Sequence, residues 1–218
     1  MVSGTGNGSS PTVSPAGRDA TGDSKAAQTR TRILDAAAHV LSTKGYAGLR
    51  LNAVAAHADL QTPAIYYYYP SRDDLIEEVM WVGIADIRKH VAAVLDALPP
   101  DATAMDRLLA AVEAHLRHAL EISDYATASI RNAGQVPLKI RKRQIEEEER
   151  YGEIWRRIIN DLARSGELRA DFDLYIAQML VLGMLNWALE WWDPRRGLPE
   201  VVVANAQSFV RHALGEHA

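Results

Sequence analysis

The sequence predicts an all-α protein of nine helices, and three observations carry that reading. Apolar residues fill 48% of the 218 positions, enough for a sizeable core. They recur at three- and four-residue spacing along most of the chain. No stretch shows the alternating, β-branched pattern of a strand.

Residues 1–24 stand apart. They are rich in Gly, Ser, Thr and Pro and nearly free of bulky apolar side chains. Such a segment buries too little surface to offset its ordering entropy, so a disordered tail is expected. In the first helix Ile33, Ala37, Val40 and Leu41 form a stripe that Leu34 and Ala38 widen. Lys44-Gly45 ends it, because glycine accepts a left-handed terminal conformation. Two short helices follow, near 51–58 and 62–68, and Pro70-Ser71 stops the second. Ser71 caps a long fourth helix with Asp74 as its capping-box partner, and Pro99-Pro100 closes that helix near residue 98. The remaining helices are expected near 103–122, capped by Thr103 with Asp106, and near 125–132, 137–165, 173–192 and 199–214. Gly166 stops the third of these, and Pro194 and Gly197 separate the last two.

Charge divides the chain. Residues 25–72 hold six basic side chains (Lys25, Arg30, Arg32, Lys44, Arg50 and Arg72) against Asp35 and Asp59, a net +4. The other residues hold 18 basic and 26 acidic side chains, a net −8. A small basic segment on a larger acidic one suggests a nucleic-acid-binding module on a carrier domain. The absence of cysteine excludes disulfides and thiolate metal sites and fits a reducing cytoplasm. The N-terminal stretch lacks the apolar run of a signal peptide. The longest apolar run, residues 176–192, is interrupted by Gln178, Asn186 and Glu190. It reads as a buried helix, and no membrane partner is expected.

The stretch from Leu51 to Arg72 reads as a helix-turn-helix. Two short helices crossing steeply through a tight turn need small residues where they touch, and Ala55, Ala58 and Ala64 supply them. Val54, Leu60 and Ile65 fill the core between them. Asp59 sits at the turn and tolerates a left-handed backbone. Pro63 fits the first turn of the second helix, where a missing N–H costs nothing. The N-terminal part of that helix is the part that enters a major groove. Gln61, Thr62, Tyr66 and Tyr67 are therefore its candidate contacts, with Pro63 beside them. Gln61 suits an adenine edge, Thr62 a base edge or a phosphate, and Tyr66 and Tyr67 either phosphates or the packing of the three-helix core. Arg50 and Arg72 stand near helix N-termini that can grip phosphates, and Asn52 is a further candidate. Tyr69 reads as core.

Lys44-Gly45-Tyr46, Val54-Ala55, Asp59-Leu60-Gln61, Ile65-Tyr66, Tyr67-Tyr68, Tyr69, Ser71-Arg72 and Leu75 together resemble the TetR family of bacterial transcription regulators. The resemblance covers about residues 29–80. It departs from the family pattern at Arg50, in place of the usual Thr, at Asp59, in place of Gly, and at Gln61, in place of Ser. It implies a DNA-binding domain over 25–72 and a ligand-binding and dimerisation bundle over 73–218. It also implies a cytoplasmic homodimer that binds a palindromic double-stranded DNA operator and is released by a small apolar effector. The ending from Gly183 through Asn186-Trp187 to Trp191-Trp192, with Pro194 and Gly197, resembles a branch that regulates fatty-acid and sterol degradation and responds to acyl-CoA thioesters. Tyr151, Trp155, Ile159, Gly166, Glu167 and Leu168 fit the same branch.

Met105, Leu109, Met179, Met184 and Trp187 are candidates to line an adaptable apolar cavity or to be ordinary core. Asn186, in an apolar helix, needs a polar partner from a neighbouring helix or from a ligand. Lys139, Arg141, Lys142 and Arg143 suit either CoA phosphates or a solvated face paired with Glu146 to Glu149. His115 and His118 lie three apart on one helix, but no third metal ligand is near them in sequence. No cofactor is expected: the chain has no Gly-rich phosphate loop, no nucleophile elbow and no di-iron Glu-x-x-His motif. Two further readings stay open at this point, an all-α ligand carrier or enzyme with no DNA role and a DNA binder that senses nothing.

Overall fold

The computed structural model describes residues 19–195 and 197–215. Nine α-helices account for most of the described residues: α1 (Asp19–Gly48), α2 (Leu51–His57), α3 (Thr62–Tyr68), α4 (Arg72–Asp96), α5 (Ala104–Arg117), α6 (Asp124–Asn132), α7 (Lys142–Arg164), α8 (Leu174–Trp191) and α9 (Pro199–Leu214). No strand occurs among them, only an isolated bridge between Leu168 and Gly215.

Local chemistry sets most boundaries where expected. Gly45 breaks α1 with φ 69°, Asp59 takes φ 53° in the turn after α2, and Gly166 takes φ 78° after α7. The Ser71 hydroxyl caps α4 by accepting from the Asp74 N–H, and Thr103 with Asp106 closes a reciprocal capping box on α5. Three expectations change. Helix α1 starts at Asp19, so residues 19–24 are helical where a disordered tail was expected; residues 1–18 of that tail lie outside the described residues. Adding turns to an anchored helix is far cheaper than nucleating one. The fifth helix gives way to a π-helical turn at His118–Ile122. The expected long helix from 137 begins instead with a 3-10 turn, Leu138–Ile140, which carries the buried Ile140 into the N-terminal core before α7 starts.

Two apolar cores are stacked along α4. Its first turns give Leu75, Ile76, Val79 and Met80 to a core built on Ile33, Leu41, Leu49, Val54 and Ile65. Its later turns give Ile84, Ile87 and Val91 to the core of α5, α7, α8 and α9, centred on Leu108, Leu116, Trp155, Ile159 and Leu185. Each of these large side chains, fully removed from water, contributes about 1.5–3 kcal/mol. The N-terminal core also takes Ala128 from α6, with Val136 and Ile140 beyond it. The apolar contacts of the two cores therefore divide inside α4, past Met80.

Helix α6 joins the units. It crosses α4 at Gly83, where a methyl group would overlap the Tyr125 carbonyl and the Ser129 hydroxyl. Ser129 Oγ donates to Met80 O at 2.9 Å. The buried Asn132 accepts from Tyr46 N–H at 2.7 Å and donates to Leu41 O and Ala128 O. Asp124, at the start of α6, takes the Ser42 hydroxyl at 2.9 Å and pairs with His39 at 3.0 Å.

Candidate nucleic-acid interface and effector region

The α2–α3 turn is fixed from beneath. Val54 and Ile65 are fully buried, and Ala55 and Ala58 are nearly so. These small residues let the short helices approach closely. The Arg32 guanidinium, from α1, donates to Ala58 O and to Asp59 O, where the turn leaves carbonyls without helical partners. Helix α3 starts after Gln61, whose backbone is extended and whose side chain makes no capping bond. Gln61, Pro63, Tyr66 and Tyr67 all project into solvent, and Thr62 is half-buried. Tyr67 is 83% exposed and Tyr66 54%. Asn52 is exposed on α2. One outward surface thus carries an amide, a hydroxyl and two phenols, set on a rigid crossing.

The neighbouring tyrosines serve the scaffold. Tyr68 is half-buried and meets Tyr67 edge to face at 5.1 Å. Tyr69 is 3% exposed, has Arg30 over its ring at 5.2 Å, and is pushed up to about 12 by burial. The two arginines proposed for phosphates differ. Arg50 is exposed and holds Ala47 O at 2.7 Å. Arg72 turns inward: its guanidinium stacks 4.5 Å from the Tyr46 ring and donates to Leu49 O and Tyr46 O. Arg72 thereby staples α4 to the end of α1, while its guanidinium stays partly exposed beside Asp73.

In the larger unit the six residues expected to line one cavity do not share one. Met105 and Leu109 are packed in the core. Met179 and Trp187 are exposed on an outer stripe of α8 with Leu174, Tyr175, Ile176 and Leu180. Met184 lines an apolar groove of about 1060 Å³ between α8 and α9, walled by Trp191, Trp192, Leu198 and Phe209 and floored by Leu116 and Leu185. Asn186 is half-buried beside His115. The basic cluster splits. Arg141 is engaged with Glu148, and Arg143 pairs with Glu78 while stacking on Trp81 at 4.1 Å. Lys139 and Lys142 are exposed.

His115 and His118 are both buried. His115 Nδ1 lies 2.9 Å from the Tyr151 hydroxyl. Burial holds His115 far below its ordinary range, at about 3, and neighbouring His118 lowers it further. His118 is lowered by burial and by His90. No group of three histidine or acidic side chains among the described residues is placed to hold a metal. No helix there is long and apolar enough to cross a membrane.

Several structural roles escaped sequence reading. Arg32 and Asn132 sit in unremarkable helical segments, and only their partners, distant in sequence, reveal them. A faint signal existed for Asn132, a polar residue that continues the Ala128 face of α6.

Comparison with known proteins agrees with this architecture. Residues 33–79 match the model described as "Bacterial regulatory proteins, tetR family". Residues 101–212, more than half the chain, match "Tetracyclin repressor-like, C-terminal domain". The chain is 22% identical over 172 residues to the fatty acid metabolism regulator protein of Bacillus subtilis strain 168, covering 74% of this chain and 81% of that one. Its fold resembles AibR in complex with isovaleryl coenzyme A and operator DNA, with a TM-score of 0.75, 17% identity and coverage of 84% and 97%. It also resembles FadR from Bacillus subtilis in complex with stearoyl-CoA, with a TM-score of 0.69, 18% identity and coverage of 86% and 99%.

Proposed function

The chain belongs to the tetracyclin repressor-like family of bacterial regulatory proteins, and from that premise we propose that it is a dimeric repressor released from its operator by an apolar acyl effector. The single observation that carries the DNA role is the outward face of α3, where Gln61, Pro63, Tyr66 and Tyr67 are exposed above a buried, Arg32-stapled turn. Gln61 and Thr62 read bases, while Tyr66, Tyr67, Asn52 and Arg50 position the helix on phosphates. Residues 25–72 form the reader and residues 73–218 the sensor and dimerisation unit, with the first turns of α4 shared between them.

The apolar stripe of α8 supports the dimer. Leu174, Tyr175, Ile176, Met179, Leu180, Trp187 and Trp191 are all exposed along a single 18-residue helix. An apolar strip of that length on a lone chain marks an interaction surface. A second copy meeting it across a two-fold axis would place two readers on a near-palindromic site. The relatives seen with isovaleryl- and stearoyl-CoA support an acyl thioester as effector, and the α8–α9 groove has the size and lining of a small-molecule site.

Selection from random duplexes tests the DNA role. Enrichment of a near-palindromic motif is expected, with affinity falling steeply as salt rises. Gln61→Ala should relax preference at one base pair by about 1–3 kcal/mol. Titrating octanoyl-CoA into the complex should release the DNA. If no motif is enriched, the regulator reading fails; if a motif is enriched but no acyl-CoA releases it, only the effector is wrong.

A further inference from the structure

Glu78 stands on the second turn of α4, next to Val79, whose side chain belongs to the N-terminal core. Its carboxylate is largely sunk, 15% exposed, and each oxygen holds a different helix. Arg30 of α1 reaches Oε1 at 2.9 Å, and Arg143 of α7 reaches Oε2 at 3.2 Å. Each guanidinium also lies over an aromatic ring. Arg30 is 5.2 Å from the ring of Tyr69, which ends the reading helix α3, and Arg143 is 4.1 Å from that of Trp81. One acid thus ties α1 and the end of α3 to the first turn of α7, a sensor helix. The 3-10 turn just before α7 plugs Ile140 into the core of the reader, so α7 starts on the reader itself.

Two ion pairs join α4 to α7. Glu78 with Arg143 lies at the reader end, and Arg88 with the buried Glu147, at 2.7 Å, lies at the sensor end. Apolar burial such as that of Ile140 is non-directional, so it holds α7 to the reader without fixing an angle. Two directional bonds at separate points do fix one. A helix held at Arg88 and Glu147 alone is free to pivot there. Arg72, at the start of α4, is 16 residues from Arg88, about 24 Å of helix. A pivot of about 5° moves that end by about 2 Å, more than half of the roughly 3.4 Å step between base pairs. In a two-fold dimer both readers move in opposite senses, so the error in their separation doubles. Stability registers little of this. Arg30 is 47% exposed and Arg143 43%, and ion pairs so open to water contribute little to folding. What the Glu78 bonds govern is therefore position.

We propose that Glu78 is a positioning residue that sets operator spacing: by locking the reader at one angle on α7, it makes the dimer select half-sites at one separation. This rests on the dimeric, DNA-reading role above and deepens it. Arg143 supplies the sensor's side of the lock, and Arg30 passes the position on to Tyr69 and α3. Because both arginines are half-exposed, added salt screens the lock and loosens it.

The test uses the intact protein and the motif enriched from random duplexes, rebuilt with its half-sites one base pair closer and one base pair farther apart. Wild type should bind the selected spacing about tenfold more tightly than either neighbour. Glu78→Gln, which keeps the shape and removes the charge, should bring that ratio to about twofold, and Arg143→Gln should do the same. The double variant should go no further, because both changes break one bond. Arg143→Lys, which keeps the charge, should restore most of the preference. A variant that merely folds less well loses affinity for all three duplexes alike and keeps the ratio. In wild type the ratio should also fall as salt is raised, a comparison that needs no variant to fold. An unchanged ratio in Glu78→Gln, or a wild type indifferent to spacing, would overturn the spacing role and leave the regulator reading intact. Failure to enrich any motif would overturn both.

Discussion

In the N-terminal unit the polar atoms that meet at packed junctions are spoken for. Asn132 makes three hydrogen bonds, Arg32 and Arg72 hold backbone carbonyls, and Ser129 holds Met80 O. Among its described side chains only the Tyr69 hydroxyl is buried without a partner. In the sensor unit both ring nitrogens of His118 and the indole nitrogen of Trp192 are buried without a hydrogen-bond partner. A reader that must present α3 at a fixed distance from its twin gains from a fully bonded scaffold. A sensor that must answer a ligand gains from groups whose bonding is incomplete until the ligand arrives. By linkage, whatever free energy the ligand gains in the released form is the amount by which DNA weakens ligand binding. Helix α6 touches both units, so the comparison is sharpest there.

The largest effect is expected from Gly83→Ala. The added methyl would overlap backbone at Tyr125 O, which no rotamer change relieves, so α4 and α6 must separate. A loss of about 3 kcal/mol is expected, read as a lowered denaturation midpoint. If the midpoint holds, the α4–α6 crossing yields easily and α6 is a poor coupling element.

A second effect belongs to the sensor core alone. His115 is held neutral down to about pH 3 when folded, whereas the unfolded chain takes up the proton near its ordinary value of 6.5. Between these values the unfolded state binds more protons, so stability falls as pH falls through that window. The slope is about 1.4 kcal/mol per pH unit. Carboxylates such as Glu147, lowered by Arg88 and Arg150, add their loss only further down, so pH 6.5 to 5 isolates the histidines. His115→Phe should flatten the denaturation midpoint against pH in that interval, with the residual slope left to His118. An unchanged slope would place the titration elsewhere.

The two units were unequally legible in the sequence. Helix ends written in local chemistry, such as Ser71-Asp74, Thr103-Asp106, Gly45 and Gly166, lay close to where capping and backbone rules put them. The exposed face of α3 was legible because periodicity tells inside from outside on a short helix. Arg72 was not, because its partner Tyr46 lies 26 residues away and an arginine beside a helix N-terminus reads equally well as a phosphate ligand. The separation of the six cavity candidates was hidden for a related reason. Spacing marks Met179 and Trp187 as apolar on α8, but only the packing shows that they lie on the face turned away from the core.

A smaller effect follows from the placement of Arg72. Arg72→Ala should cost about 1–2 kcal/mol of stability, since three of its donor contacts reach backbone or an aromatic ring and it is partly exposed. The slope of log affinity against log salt should not change, because no phosphate contact is lost. Arg50→Ala makes the contrast. Its guanidinium is exposed, so a phosphate role predicts a slope shallower by about one. Equal slopes for both variants would remove the distinction drawn between the two arginines.

The smallest stability effect is expected on the reading face itself. Tyr67 is 83% exposed, and its recorded ring contact is the edge of Tyr68. Tyr67→Phe removes a hydroxyl that lies in water in the free protein, so the denaturation midpoint should stay within about 0.5 kcal/mol of wild type. On DNA the same hydroxyl is expected to donate to a phosphate oxygen. Its loss should weaken binding by about 1 kcal/mol, roughly fivefold, and to the same degree on operator and on random duplex. The equal loss on both duplexes is the informative part, since a hydroxyl that read a base edge would lose affinity on the operator alone. Competition binding of wild type and Tyr67→Phe on both duplexes at one salt concentration separates the cases. If both duplexes bind as before, Tyr67 stands clear of the DNA, and the docked face of α3 must be rotated toward Gln61 and Pro63.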